Sequence, residues 1–340
     1  MYADVVLGLQ HGDEAKGKVA HYLCKYKRSD YTHVLRFNGG CNAGHTIYHQ
    51  GKKFVTHHIP AGVFFGIKSL IGSGCVVNVA QFFKELRELK DGGIDIEGKV
   101  FIAENAHIIT DAHISEEDVE SKIGTTKRGN GPAYRDKYAR TGVRAKNIPA
   151  LEPYLIDIYK EFHNDQSVKI LCEGAQGFGL DIDWGDYPFV TSSHCTIGSA
   201  ILSGIPPSWI RDVWGVAKIY ETYVGAREFE PHENSEFFVR MREVGDEYGA
   251  TTGRPRQCNW LNYDELQKAI IVNQVNKLVI NKMDVLREID VWGLIKNKER
   301  IFFDSEEDIK SYLRKHLKIH GSQTKSSSPE IYFSDNKYRL

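Results

Sequence analysis

Short apolar runs recur along the chain, separated by longer stretches in which apolar residues return every three or four positions. The runs predict strands at 4–9, 33–37, 68–71, 100–103, 168–172, 213–219 and 277–280. The helical spacing predicts helices over Val19–Tyr26, Asn78–Lys90, Glu152–Asn164, Tyr263–Asn276 and Glu306–Leu317. Alternation of the two predicts an α/β fold, with a central, mainly parallel sheet flanked by helices. Glycine-rich segments at 39–44, 124–131 and 174–179 fall at strand ends, where open α/β sheets bind ligands. No repeat of fixed period is present. Gly321–Pro329 reads as a linker and Glu330–Leu340 as a short tail, so a single domain over 1–320 followed by a linker and tail over 321–340 is expected.

Composition narrows the class without naming a function. The 340 residues allow one large α/β domain or two ordinary ones, and no interior Pro/Ser-rich linker argues for two. Hydrophobic content of 41% and charged content of 26% are those of a globular protein. A net charge of −1 gives no reason to expect a nucleic-acid polymer or an anionic membrane as partner. No apolar run approaches the roughly 20 residues needed to cross a bilayer, and the N-terminus opens into a strand rather than a signal-like core. Six cysteines (24, 41, 75, 172, 195, 258) form no CxxC pair and read as reduced thiols. A cytoplasmic location is the expectation.

The chemistry begins at Gly12-Asp13-Glu14-Ala15-Lys16-Gly17-Lys18, between the strand-like run Val5–Leu9 and a helical stretch. That is the context in which backbone N–H groups and a helix N-terminus cradle phosphate, giving a P-loop-like, NTPase-related architecture. A true phosphate loop places Ser or Thr after the second Lys to meet Mg²⁺, whereas this chain has Val19. Asp13 offers a metal ligand inside the loop instead.

Five further segments carry polar groups in ligand-like settings. Asn38–Thr46 combines small residues with Asn42 and His45, which suits phosphoryl oxygens, or else forms a tight turn with a structural histidine. Gly124–Pro132, followed by Arg135, Lys137, Arg140 and Arg144, suits a monoester phosphate or is a charged loop leading into a solvated helix. Glu173-Gly174-Ala175-Gln176-Gly177 follows a strand, so Gln176 can reach a base oxo group, with Thr191-Ser192-Ser193 a short loop later. Thr251-Thr252-Gly253-Arg254-Pro255-Arg256 pairs hydroxyls with guanidinium forks that match a carboxylate, although a solvated loop has the same composition. Asn281-Lys282-Met283-Asp284, after Leu278–Ile280, repeats the guanine-reading pattern of GTPases. The inventory implies an NTP, a phosphorylated co-substrate and a small acid.

Taken in order from Gln10–Lys18 to Asn281–Asp284, these segments resemble the adenylosuccinate synthetase family over roughly residues 4–286. The resemblance implies a ligase that uses NTP to phosphorylate the 6-oxygen of a purine mononucleotide, after which L-aspartate displaces the phosphate. It implies Mg²⁺ and a homodimer. Asp13 is then the base at purine N1 and a metal ligand, the Gly44 carbonyl a second metal contact, and His45 the acid at the transferred phosphoryl group. Lys16 neutralises phosphate charge, with Gly12, Glu14, Ala15, Gly17 and Lys18 completing the NTP loop. Asn42, Thr126 and Thr191 hold the 5′-phosphate, Arg140 is lent from the partner subunit, and Gln176 holds the 6-oxo group. Thr251, Thr252, Arg254 and Arg256 hold aspartate, Arg254 also serving the purine monophosphate, while Lys282 and Asp284 read the NTP base.

The chain departs from the family pattern at His11 (usually Trp), Ala15 (usually Gly), Lys127 (usually Gly), Tyr223 and Pro255, and its tail lacks a Gly-Pro. A divergent phage branch that makes 2-aminoadenine precursors acts on dGMP, although its better-known members carry Ser where this chain has Asp13. The short length and altered nucleotide loops tilt the expectation narrowly toward (d)GMP over IMP, and toward host cytoplasm if the chain is phage-encoded. GTP and ATP both stay open as donor. A regulatory GTPase is disfavoured by Val19 and leaves the 251–256 cradle unexplained. A dead nucleotide-binding module is disfavoured by the joint presence of Asp13, Lys16, His45 and Gln176.

Overall fold

A computed structural model of the protein describes residues 1–27, 30–118, 123–229, 236–249, 253–319 and 327–335. Nine strands form one sheet, every neighbouring pair parallel. Its order is Glu330–Phe333, Lys277–Asn281, Ile210–Lys218, Tyr2–Gly8, Lys169–Glu173, His33–Arg36, Lys68–Ile71, Val100–Ala103 and Leu155–Ile156. All seven predicted strands lie in this sheet.

The central strand Tyr2–Gly8 is buried from Ala3 onward, as expected for a strand covered on both faces. Alternation splits it between two cores. Ala3, Val5 and Leu7 pack with the 258–295 side of the molecule, whereas Val6 packs with Val19, Leu23 and Val34 on the other face. Full burial of each such Val or Leu is worth about 1.5–3 kcal/mol.

Differences from the predicted elements have local causes. The helix expected over 152–164 is a 3₁₀ turn at Pro149–Tyr154, a strand at Leu155–Ile156 and a helix only from Ile158 to His163. Pro153 has no N–H to donate, and Asp157 caps the later helix by accepting from the Lys160 amide at 3.2 Å. The helix expected to reach Asn276 stops at Asn273, where Gln274 turns left-handed (φ 52°). The helix expected from Val19 starts at Lys16. Of the expected linker, 321–326 lies outside the described residues, while Glu330–Phe333 is an edge strand paired with Lys277–Ile280.

A second sheet, made of Tyr220–Tyr223, Gln257–Asn262, Trp292–Lys296 and Glu299–Phe303, had no counterpart in the sequence reading. Its first strand follows directly on Ile210–Lys218 of the large sheet, and 223–225 and Arg256 beside it line one cleft.

Candidate active site

The loops leaving Gly8, Arg36, Glu173 and Lys218 open at the carboxyl edge of the central sheet, around a cleft of about 600 Å³. Its lining includes Gly12, Asp13, Ala15, Lys16, Gly17, Asn42, Gly44, His45, Thr126, Gln176, Thr191, Arg254 and Arg256. Residues far apart in sequence are thus brought together as expected. Thr251 and Thr252, assigned to the aspartate cradle, lie outside the described residues.

The phosphate loop is built around an inward carboxylate. Glu14 accepts from the Gln10 amide at 3.1 Å, the Gly12 amide at 2.9 Å and Lys16 Nζ at 2.5 Å. Its side chain is therefore a buried brace for the loop and does not line the cleft, in contrast to the NTP contact expected of it. A Cβ at Gly8 or Gly177 would come within 2.6 Å of this carboxylate, so both glycines make room for it. Asp13 and Ala15 adopt left-handed φ of 61° and 72°, the latter as the uncapped N-cap of Lys16–Tyr26. For alanine that conformation costs about 1–2 kcal/mol. Val19 is fully buried in the core, not at the cleft.

Asp13 is 37% exposed and pairs through Oδ2 with Arg256 Nε at 3.0 Å. Arg256 Nη1 also meets Glu247 Oε2 at 2.5 Å, and Glu247 accepts from Lys218 at 3.1 Å and Tyr220 at 2.7 Å. Burial alone would raise the Glu247 pKa, but Lys218, Lys282 and Arg256 outweigh it and hold the carboxyl at about 2. Arg256, expected to hold a small acid, is thus anchored by Glu247.

His45 is buried, and its Nδ1 lies 2.6 Å from Glu173 Oε1. Arg36 donates to the same oxygen at 2.8 Å, and the Ala61 amide donates to Oε2 at 2.8 Å. Burial, aided by Arg36, pulls the His45 pKa down to about 4, so the imidazole rests neutral. Glu173, despite its burial, stays ionised near a pKa of about 2 because Arg36 and His45 face it. A Cβ on Gly17 would sit 3.0 Å from His45 Cβ, which places the histidine against the first turn of the phosphate-loop helix.

Gln176 turns left-handed (φ 55°) at the end of Lys169–Glu173 and donates through Nε2 to Asn42 Oδ1 at 3.0 Å. Its Oε1 is buried without a partner. The expected phosphate donor and the expected oxo-group donor therefore hold each other. Arg140 is exposed, ends the helix Asn130–Ala139 at φ 65°, and does not line the cleft. Lys18, Lys282 and Asp284 also lie outside it. Lys18 donates to Asn281 Oδ1 at 2.6 Å and Ser334 Oγ at 2.7 Å, and burial lowers its pKa to about 8 against the pull of Asp284. Asn281 Nδ2 donates to the Glu14 carbonyl at 2.8 Å, so the first residue of the guanine-type motif braces the phosphate loop.

The comparisons with known proteins meet this geometry. Residues 5–155 and 147–296 match the profile of the Adenylosuccinate synthetase family. The chain is 38% identical over 337 residues to the adenylosuccinate synthetase of Chlorobium phaeobacteroides, covering 84% of this chain and 77% of that one. It is 37% identical to the Helicobacter pylori (strain HPAG1) enzyme over 337 residues, covering 85% and 80%. The chain belongs to the adenylosuccinate synthetase family.

As a member of that family it is a ligase that forms a C–N bond. The fully ligated adenylosuccinate synthetase of Plasmodium falciparum superposes with a TM-score of 0.79 at 30% identity, over 90% of this chain and 84% of that one. The succinoaminodeoxyadenylate synthetase of cyanophage S-2L, solved with dGMP and dATP, shares the fold with a TM-score of 0.70 at 20% identity, over 91% and 97%. Among the described residues, no helix is long and apolar enough to cross a membrane.

Several charged residues around the cleft leave little or no mark in the sequence. Glu173 sits in the motif that carries Gln176, and its one signal is a carboxylate ending an otherwise apolar strand. Arg36 gave the same signal. Glu247, Lys218, Asp186 and Glu221 gave none, because their partners lie far along the chain.

Proposed function

We propose that this ligase joins L-aspartate to C6 of IMP, with GTP as phosphoryl donor. The observation that carries the reading is the convergence of Asp13, Lys16, His45, Gln176 and Arg256 on one cleft. The 37–38% identity to synthetases bearing the conventional name supports IMP.

In this reading Asp13 accepts the N1 proton, which makes the 6-oxygen a nucleophile toward the γ-phosphorus. Asp13 must first leave Arg256, and an incoming aspartate carboxylate gives that guanidinium a new partner. His45 donates to the transferring phosphoryl oxygens from the nitrogen not engaged by Glu173. Gln176 releases Asn42, its amide turning to the 6-oxo group while Asn42, Thr126 and Thr191 take the 5′-phosphate. The Asp13 carboxylate and Gly44 carbonyl are hard oxygen donors on the same cleft, a set that suits Mg²⁺. Bound there with nucleotide phosphates, Mg²⁺ would neutralise their charge. Thr251, Thr252, Arg254 and Arg256 form the aspartate cradle, and Lys282 with Asp284 reads the NTP base. Residues 1–320 act as one domain, and Arg140 serves a partner subunit's site in a homodimer.

The (d)GMP-using alternative is favoured by one specific feature. Asp13 is a carboxylate acceptor, able to take both N1–H and the 2-amino group of guanine. A panel of IMP, dIMP, GMP and dGMP, each with aspartate and GTP or ATP, decides between the two by phosphate release. Turnover with IMP alone supports the first reading, and turnover with GMP or dGMP the second. Phosphate release without aspartate would mark a GTPase and sink both.

A further inference from the structure

His11 occupies a position in the cleft wall that the reaction described above does not use. Its Nδ1 lies 3.2 Å from Glu221 Oε2, and its Nε2 lies 3.2 Å from Asp186 Oδ2. Arg227 meets the same Asp186 oxygen at 2.7 Å. The ring stands edge-on to Tyr223 and Phe229, with centroids 5.6 and 5.4 Å away. It also lies against the backbone of Gly179, where a Cβ would come within 2.7 Å of the imidazole.

The two carboxylates belong to separate segments, each of which supplies residues to the cleft lining. Asp186 sits in the 179–191 loop, which supplies Leu180, Phe189, Val190 and Thr191 to the cleft. That loop is closed on itself by Thr191 N to Leu180 O at 2.8 Å, and hangs from Gln10 O through the Gly179 amide at 2.9 Å. Glu221 sits on the strand Tyr220–Tyr223, which leads to Tyr223, Val224 and Gly225 in the cleft lining. The foot of this second segment is held by the same Gln10, whose Nε2 donates to Lys218 O, Tyr220 O and Glu221 Oε1 at 3.0–3.2 Å. Beyond that shared foot, His11 and Arg227 join the two segments. Between them, Leu180 and Val224 offer the apolar surfaces that suit a flat base.

We propose that His11 is a specificity-determining strap, which sets the width of the purine slot by tying the 179–191 wall to the strand Tyr220–Tyr223. The inference rests on the ligase reading above and deepens it. An imidazole does this with little freedom, because its two nitrogens are rigidly placed on opposite edges of one ring. A slot of fixed width discriminates between purines that differ at C2, where a hydrogen in IMP is an amino group in GMP. Pocket fit of this kind separates such ligands by about tenfold to a few hundredfold.

The test uses three variants that split the strap. His11→Asn keeps an amide near the Nδ1 position and so the Glu221 bond, His11→Gln keeps one near Nε2 and so the Asp186 bond, and His11→Phe keeps the ring with neither. Equilibrium dissociation constants for IMP, GMP and GTP are measured by titration calorimetry on the full chain, beside a thermal-unfolding check. The expected result is a GMP-to-IMP affinity ratio that moves roughly fivefold or more toward unity in all three variants, with GTP binding within about twofold of the parent. A ratio unchanged in variants that remain folded overturns the strap, as does equal binding of IMP and GMP by the parent, or weakening of all three ligands together. Parent protein that binds neither purine monophosphate overturns the ligase reading itself.

Discussion

The carboxylate of Glu173 lies 2.6 Å from Nδ1 of His45, and its other oxygen is held by the Ala61 amide, so the acid is itself fixed before it orients the imidazole. The proton on Nδ1 follows from that contact with an ionised carboxylate, and the far nitrogen is left for the phosphoryl group in the function proposed above.

Glu173→Gln tests this arrangement. The amide is uncharged and presents a donor as readily as an acceptor, so the histidine loses its fixed tautomer. We expect kcat to fall roughly 10–100-fold with substrate KM values nearly unchanged, as for other outer partners of functional histidines. A kcat within twofold of the parent would separate Glu173 from the chemistry.

Asp13→Ala and His45→Ala are expected to abolish turnover in the substrate panel while the folded state persists. Asp13 is partly exposed, so its removal creates no core cavity. Circular dichroism with phosphate-release assays checks both halves of the statement, and normal turnover in either variant refutes the assigned roles.

Glu247 links acid stability to Arg256, the arginine proposed to hold aspartate. Its folded pKa of about 2 lies below the ordinary value of 4.5, so its contribution to stability is fully present above about 4.5 and lost as pH falls through about 2. Glu247→Gln removes that dependence and leaves Lys218 buried beside a neutral group, a loss of about 3–5 kcal/mol at neutral pH. Urea unfolding between pH 3 and 7 measures it, and a variant with the parent's pH slope contradicts the assignment.

Ala15 offers a gain. Replacing it with Gly relieves the left-handed φ of 72° but adds freedom to the unfolded chain, so Ala15→Gly should stabilise by up to about 1 kcal/mol. Loss of stability in denaturant titrations would show that the methyl group packs usefully.

Asp284→Asn addresses the donor. A carboxylate accepting two guanine N–H groups is worth roughly 1–3 kcal/mol, so the KM for GTP should rise about tenfold or more while that for ATP does not. Equal changes for both nucleotides would remove Asp284 from base recognition.

Much of this architecture could be read from the chain, for a physical reason. Strands such as Val5–Leu7 are buried on both faces and announce themselves as unbroken apolar runs, and the glycines at their ends mark where backbone approaches ligand. The second sheet could not be read in this way. Its strand Gln257–Asn262 mixes polar Gln257, Asn259 and Asn262 with Cys258, Trp260 and Leu261, so no unbroken apolar run marks it although 258–261 are buried. Site residues on loops were legible through their motifs. Glu247 was not, since a buried charge is explained only by partners that sequence order does not reveal, while Glu173 and Arg36 left a single signal, a charge ending an apolar strand. Glu14 was legible as part of a motif, but the inward turn of its side chain was not, because the motif does not say which way a side chain points.

The bonds from Lys18 to Ser334 and from Asn281 to the Glu14 carbonyl carry a consequence for how the protein comes into being. The phosphate loop is braced by residues hundreds of positions away in the chain, so its final shape waits on contacts of very high sequence separation. Arg36 and His45 are nearer to each other and to Glu173 in sequence, so their cluster can form before the contacts made by Asn281 and Ser334. Bracing of the phosphate loop is therefore a late event in folding.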